Sequence, residues 1–88
     1  MTAFARRVAE VVAATQPGDL LTYAEVAAEA GRPRAARAVG RALARGDELP
    51  WWRVVAANGR LVPGLETEHA RRLRAEGHRC LDGRVLRA

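Results

Sequence analysis

Apolar positions recur at helical spacing through "FARRVAEVVAAT". Phe4, Val8, Val11 and Val12 fall on one side, so residues near 3–15 read as an amphipathic helix. Pro17-Gly18 ends it. In "LTYAEVAAEAG", Thr22 and Glu25 have the spacing of a capping box, with Leu21 and Val26 placed as the hydrophobic staple around it. This predicts a short helix from Tyr23 to about Ala30, stopped by Gly31. Gly31-Arg32-Pro33 makes a tight turn, and a further helix begins near Arg34. On that helix Ala36, Val39, Gly40 and Leu43 share one face. Arg34, Arg37, Arg41 and Arg45, at offsets of three, seven and eleven, lie on the opposite one.

Downstream, "RVVAANGRLV" carries a hairpin signal, with Asn58-Gly59 as a two-residue turn between apolar stretches and Pro63-Gly64 closing it. "LETEHARRLRAEG" keeps Leu65, His69 and Leu73 in helical register up to Gly77. "HRCLDGRVLRA" predicts a small terminal hairpin turning at Asp82-Gly83. Two helices joined by a short glycine-containing turn outline a helix-turn-helix. The expected fold is mainly α with a small β-hairpin: a winged-helix-like helix-turn-helix domain, single over residues 1–88. In "LPWWRVV" two tryptophans stand side by side. If the stretch enters a strand, Trp51 and Trp52 point to opposite faces.

Composition sharpens the picture. With 88 residues, 49% of them apolar, the chain is long enough for one modest core. The single cysteine, Cys80, excludes an internal disulfide and fits a reducing compartment. Arg6, Arg7 and Glu10 interrupt the place where a signal peptide needs its apolar core, and no apolar run is long enough to span a bilayer. A cytoplasmic protein is expected, nucleoid-associated if bacterial, with no membrane partner. All 15 basic residues are arginine and the net charge is +5. Arginine-biased codon usage accounts for the missing lysine but not for the excess of positive charge. Arginine forks onto phosphates and stacks on bases, so the balance points to nucleic acid. The helix with four arginines on one face reads either as a recognition helix or as a solvated face, although solvated faces usually mix signs.

Little catalytic chemistry is available. There is no serine, so a serine nucleophile is excluded. Cys80 lies near His78, but nothing supplies an orienting group, and a lone cysteine in an apolar strand is usually a small core residue. His69, His78 and Cys80 match no zinc spacing and lack a fourth ligand. No phosphate loop occurs, and no cofactor or metal is expected.

The segments "TYAEVAAEAGRPRAARAVGRAL", "LPWWRVV" and "AEGHR" together resemble the DNA-binding domain of O6-alkylguanine-DNA alkyltransferases, from about Phe4 to Arg79. In that family a cysteine within a Pro-Cys-His-Arg motif takes the alkyl group from damaged guanine. The matching residues here are Pro50, Trp51, Trp52 and Arg53, with Trp51 in the nucleophile's place and Trp52 in the histidine's. Indole offers no thiolate, and loss of the histidine removes the base that would prepare one. The pattern is similar to the alkyltransferase-like proteins, in which tryptophan replaces the reactive cysteine. These bind O6-alkylguanine in duplex DNA without repairing it and hand it to nucleotide excision repair. Trp52 departs from the histidine expected there.

The resemblance implies roles. The recognition helix enters the minor groove, with Ala35, Ala38 and Gly40 allowing close approach. Arg37 fills the gap left by a flipped guanine, and Tyr23 turns the 3′ phosphate; the arginine stripe itself predicts that Arg34, Arg41 and Arg45 contact phosphates. The lesion pocket is expected to comprise Pro50, Trp51, Trp52, Arg53, Val54 and Val55, with the flipped base by Trp51, bounded by Val54 and Val55, and Trp52 packed beneath; the plain alternative is that both tryptophans are core. Glu76 matches a glutamate of the enzymes' buried relay, and Asp47 lies near a hinge asparagine. A monomer that binds alkylated DNA and transfers nothing is expected. The rival reading is a winged-helix transcription regulator binding intact DNA.

Overall fold

The computed structural model describes residues 2–45 and 48–87. Helix α1 runs over Ala3–Ala13, with Thr2 as its N-cap accepting a hydrogen bond from the Ala5 amide at 3.0 Å. Strand β1, Leu21–Thr22, leads into α2, Tyr23–Glu29. The capping box is closed: the Thr22 hydroxyl accepts from the Glu25 amide at 3.1 Å, and the Glu25 carboxylate accepts from the Thr22 amide at 2.7 Å. Helix α3, Ala36–Ala44, starts two residues later than the pattern predicts, after an N-cap at Ala35 that has no side chain to offer. Helix α4 covers Glu66–Ala75, and strands β3, Arg79–Leu81, and β4, Arg84–Leu86, form the terminal hairpin. Asp82 and Gly83 both have positive φ, 52° and 75°, as a tight two-residue hairpin turn requires.

Two expectations are corrected. Trp51 and Trp52 are not strand residues: Trp51–Arg53 is a short 3-10 helix, and β2 begins only at Val54 and ends at Val55. The Asn58-Gly59 hairpin does not form either. Strand β2 pairs in parallel with β1, Leu21 opposite Val54 and Thr22 opposite Val55. Asn58-Gly59 still turns the chain, but the returning segment joins the terminal hairpin instead, with Arg60 bridged to Arg84 and the Leu61 amide donating to Gly83 O at 2.9 Å. Burial decides this, because Leu61 packs with Val55, Cys80 and Val85. Gly59 has φ +84° and lies so near β4 that a Cβ would sit 2.7 Å from Val85 O.

The core is divided at β2. Val54 belongs to a cluster with Val8, Val12, Val26, Val39 and Leu43, which gathers α1, α2 and α3. Val55 belongs to a cluster with Leu61, Leu73, Cys80 and Val85, which gathers α4 and the terminal hairpin. Strand alternation operates at this pair, one step beyond the tryptophans. Fold and sequence therefore agree on a mainly helical helix-turn-helix domain with a small hairpin, and differ on which strand pairs with which.

Candidate nucleic-acid interface

Helix α3 buries Val39 and Leu43 and leaves Arg37 and Arg41 exposed, with Arg34 just before it and Arg45 at its C-cap also exposed. Among the described residues none of these four guanidiniums has an ion pair; the pairs formed are Arg53–Glu76, Arg71–Glu68 and Arg72–Glu68. Among the described residues the stripe is a band of positive charge with no carboxylate partner of its own. Ala35, Ala38 and Gly40 are half-buried between it and the core. Tyr23 stands in the first turn of α2, half-buried, and burial raises its phenol pKa above 10.0, so it is a neutral hydroxyl donor.

A cavity of about 430 Å³ opens beside this band, lined by Tyr23, Gly40, Leu43, Ala44, Trp51, Val62 and Leu65. A Cβ on Gly40 would come within 4.0 Å of the Tyr23 ring, so the bare backbone leaves the space beside the phenol open. Leu65, 49% exposed, forms an apolar lip. A wider groove of about 920 Å³ lies between α1 and α3 and is edged by Arg32, Arg41 and Arg45. Its aromatic residue, Phe4, is already covered by the Arg32 guanidinium at 5.7 Å from the ring centroid. The smaller cavity is the one lined by two aromatic residues, Tyr23 and Trp51.

The structure brings Tyr23, Gly40 and Trp51 together at this cavity. It does not bring the other proposed pocket residues there. Val54 and Val55 are fully buried in the two halves of the core, Arg53 is tied up in an ion pair, and Pro50 and Trp52 lie off the cavity wall. Leu43, Ala44, Val62 and Leu65 take those places. The first two sit one helical turn beyond Val39 and Gly40, a periodicity visible in the sequence. Val62 and Leu65 flank the Pro63-Gly64 turn, where a hairpin reading hides them. Asp47 lies outside the described residues.

Trp51 is held from several sides. Its ring meets the Trp52 ring edge-on, centroids 6.1 Å apart at 84°, and the His69 ring at 4.9 Å and 63°. The Arg72 guanidinium lies 5.9 Å from the Trp51 centroid and 4.6 Å from that of Trp52. Arg72 is itself fixed by Glu68, at 2.7 Å. Hydrogen bonds from Arg71 and Arg72 hold the Glu68 carboxyl at about 2.

Beneath Trp52 is a knot of polar groups. The Trp52 indole donates to Glu76 Oε2 at 2.8 Å, Arg53 donates from Nη2 to Oε2 at 2.9 Å and from Nε to Oε1 at 3.0 Å, and the Gly18 amide donates to Oε1 at 3.0 Å. Arg53 Nη1 reaches the Thr15 carbonyl at 2.9 Å and its hydroxyl at 3.0 Å. Glu76 is held at about 2, first by Arg53, with help from the Gly18 amide and Trp52 against the cost of burial. A carboxylate so fully engaged is a fastener between the α4 C-terminus, the 3-10 turn and the segment after α1. Cys80 is elsewhere, buried in the second cluster with its thiol pKa raised by burial, which disfavours the thiolate. Among the described residues no three His, Cys, Asp or Glu side chains gather to hold a metal ion.

Residues 3–78 match the family described as 6-O-methylguanine DNA methyltransferase, DNA binding domain. A DNA base-flipping protein of Escherichia coli is 46% identical over 79 residues, covering 84% of this chain and 61% of its own length. The chain thus spans about three-fifths of that relative. A crystal structure of S. pombe Atl1 in complex with damaged DNA containing O6-carboxymethylguanine superposes with TM-score 0.81 at 30% identity, over 90% of this chain and 80% of that one. The Mycobacterium tuberculosis O6-methylguanine methyltransferase superposes with TM-score 0.76 at 32% identity, over 86% of this chain and 49% of its own.

Proposed function

This chain belongs to the family of the 6-O-methylguanine DNA methyltransferase DNA-binding domain, and on that premise we propose that it recognises O6-alkylguanine in duplex DNA by base flipping and transfers nothing. The observation that carries the reading is the cavity bounded by Trp51, Tyr23 and Gly40, next to the arginine band of α3. In this reading α3 lies in the minor groove, Arg34, Arg41 and Arg45 hold phosphates, and Arg37 fills the gap in the stack. The Tyr23 hydroxyl turns the phosphate beside the extruded nucleotide. The base enters against Trp51, and its alkyl group meets Leu43, Val62 and Leu65. Extrusion costs a few kcal/mol, least for a damaged base, and stacking on an aromatic ring returns about 1–3 kcal/mol. The two terms nearly cancel, so the alkyl group in the apolar cavity decides selectivity.

Trp51 stands where the family's nucleophilic cysteine stands, and indole cannot accept the alkyl group at neutral pH. The buried, protonated thiol of Cys80 supports the same conclusion. The names of the relatives, a base-flipping protein and a complex with damaged DNA, support the binding step. The resemblance to alkyltransferase-like proteins supports a further step, in which a monomer bound at the lesion in the cytoplasm passes it to nucleotide excision repair. The test is a titration of two duplexes that differ by one O6-methyl group. Tighter binding of the methylated duplex is expected; equal binding would replace this reading with that of a regulator of intact DNA.

A further inference from the structure

His69 is fully buried on α4, and base binding as described above does not use it. Both of its ring nitrogens are engaged. The Val62 amide donates to Nδ1 at 3.1 Å, and Nε2 lies 2.9 Å from the Trp52 carbonyl. A nitrogen that accepts from an amide carries no proton, so the proton is on Nε2, which donates to Trp52 O. The ring also meets Trp51 in a tilted edge-type contact, 4.9 Å between centroids at 63°. The His69 amide also donates to Leu65 O at 2.8 Å. The residue therefore touches both sides of the cavity: Trp51 on one, Val62 and Leu65 on the other.

We propose that His69 is the positioning residue of the base pocket, a neutral imidazole that fixes the distance between the Trp51 wall and the Val62–Leu65 wall. This rests on the base-flipping reading above. The argument is one of chemistry and reach. An imidazole places an acceptor and a donor on opposite edges of a flat ring and still offers an aromatic face. An aliphatic residue of similar size would fill the volume but strand the Val62 amide and the Trp52 carbonyl in the interior. The two walls would then relax independently, and the cavity would lose the width that separates an alkylated base from an ordinary one. A second proton on Nδ1 would point at the Val62 amide, so the charged ring does not fit. Burial, which lowers its pKa below 6.5, keeps the ring neutral. The neighbouring charges do not oppose this: Arg72 is held by Glu68 and Arg53 by Glu76, and no carboxylate reaches the imidazole among the described residues.

The test uses the whole chain and two readouts. Nitrogen-15 NMR of the His69 ring at neutral pH should show the neutral form with the proton on Nε2, with and without duplex carrying O6-methylguanine. A charged ring, or a proton on Nδ1, would overturn the proposal whatever the variants do. His69→Leu and His69→Asn are then titrated with methylated and unmodified duplex. Asparagine can still accept from the Val62 amide. His69→Leu should lower the ratio of lesion to intact affinity about tenfold, the loss of one buried hydrogen-bonded tie. His69→Asn should recover part of that ratio. A merely structural role would leave the ratio where it was, and that result, in either folded variant, defeats the proposal while the base-flipping reading stands. A parent protein that does not distinguish the two duplexes would defeat both.

Discussion

The Trp52 indole donates to Glu76 on the same carboxylate that Arg53 grips with both Nη2 and Nε, at 2.8 Å for the indole and 2.9, 3.0 and 3.3 Å for the guanidinium. Glu76 accepts from two side chains, Trp52 and Arg53, and from the Gly18 amide, and has no proton to pass on. The Trp52 indole is thus a donor to a fastener.

That arrangement makes stability depend on pH. Glu76 titrates at about 2 in the folded protein, against 4.5 for an unhindered glutamate. The folded pKa is lowered, so the stabilisation is complete above the unfolded value and is lost as pH falls from about 5 toward 2. Glu76→Gln should remove a contribution on the order of 3 kcal/mol at neutral pH. Urea unfolding at pH 7 and pH 3 checks it. The gap between the two proteins should narrow to less than about half by pH 3, where unfolded Glu76 is protonated and folded Glu76 is still mostly ionised. Glu68 is also held at about 2 but is exposed and unchanged in the variant, so the difference isolates Glu76. A gap as wide at pH 3 as at pH 7 would remove Glu76 from the account.

The two tryptophans should separate binding from folding. Trp51 lines the cavity and Trp52 does not. Trp51→Ala should lose about 1–3 kcal/mol of lesion binding and most of the discrimination against guanine. Trp52→Phe keeps the ring but removes the indole donor, so it should cost about 1–2 kcal/mol of stability and leave the lesion-to-intact ratio alone. Fluorescence of the two single-tryptophan proteins reads the same division. Lesion duplex should quench Trp51 and not Trp52, and the reverse would exchange their assignments.

Most of this was legible in the chain where the signal is local. The capping box at Thr22 and Glu25, the arginine face of α3 and the Asp82-Gly83 turn each need only neighbouring residues, and all three formed as the pattern predicts. What was not legible is what depends on distant partners. Asn58-Gly59 looks like a hairpin turn, yet β2 pairs with β1, more than thirty residues earlier, because Val54 and Val55 must face two different clusters. The same fact moved the pocket. Its walls are Val62 and Leu65, brought over by the chain's return, rather than the strand valines that follow Trp51. His69 reads as a helix position on an apolar face, and nothing in the sequence says that both its nitrogens would find backbone partners.

The absence of transfer has a direct test. Incubation with duplex carrying a labelled O6-methyl group should leave the mass of the intact protein unchanged, including at Cys80, whose thiol pKa burial raises. A gain of one methyl group on any residue would overturn the non-enzymatic reading.

The arginine band divides into charge and wedge, and salt separates them. Arg34, Arg41 and Arg45 are exposed along one face, and none pairs with a carboxylate among the described residues. If each neutralises a phosphate, replacing one by alanine releases fewer counterions on binding. The slope of log affinity against log salt should flatten by about 0.9 per lost contact, equally on intact and damaged duplex. Arg37 sits on the same stripe but is assigned to the hole left by the flipped base, where an alkyl stem and a flat guanidinium replace a stacked nucleotide. Its loss removes one charge and also leaves that hole empty. Arg37→Ala should therefore flatten the slope like the others on intact duplex, and on damaged duplex lose several-fold more affinity than Arg45→Ala at any one salt concentration. Since the extra loss comes from stacking and not from counterions, it should persist at high salt, where the phosphate contacts have faded. Equal behaviour of Arg37→Ala and Arg45→Ala on both duplexes would leave Arg37 as one more phosphate contact.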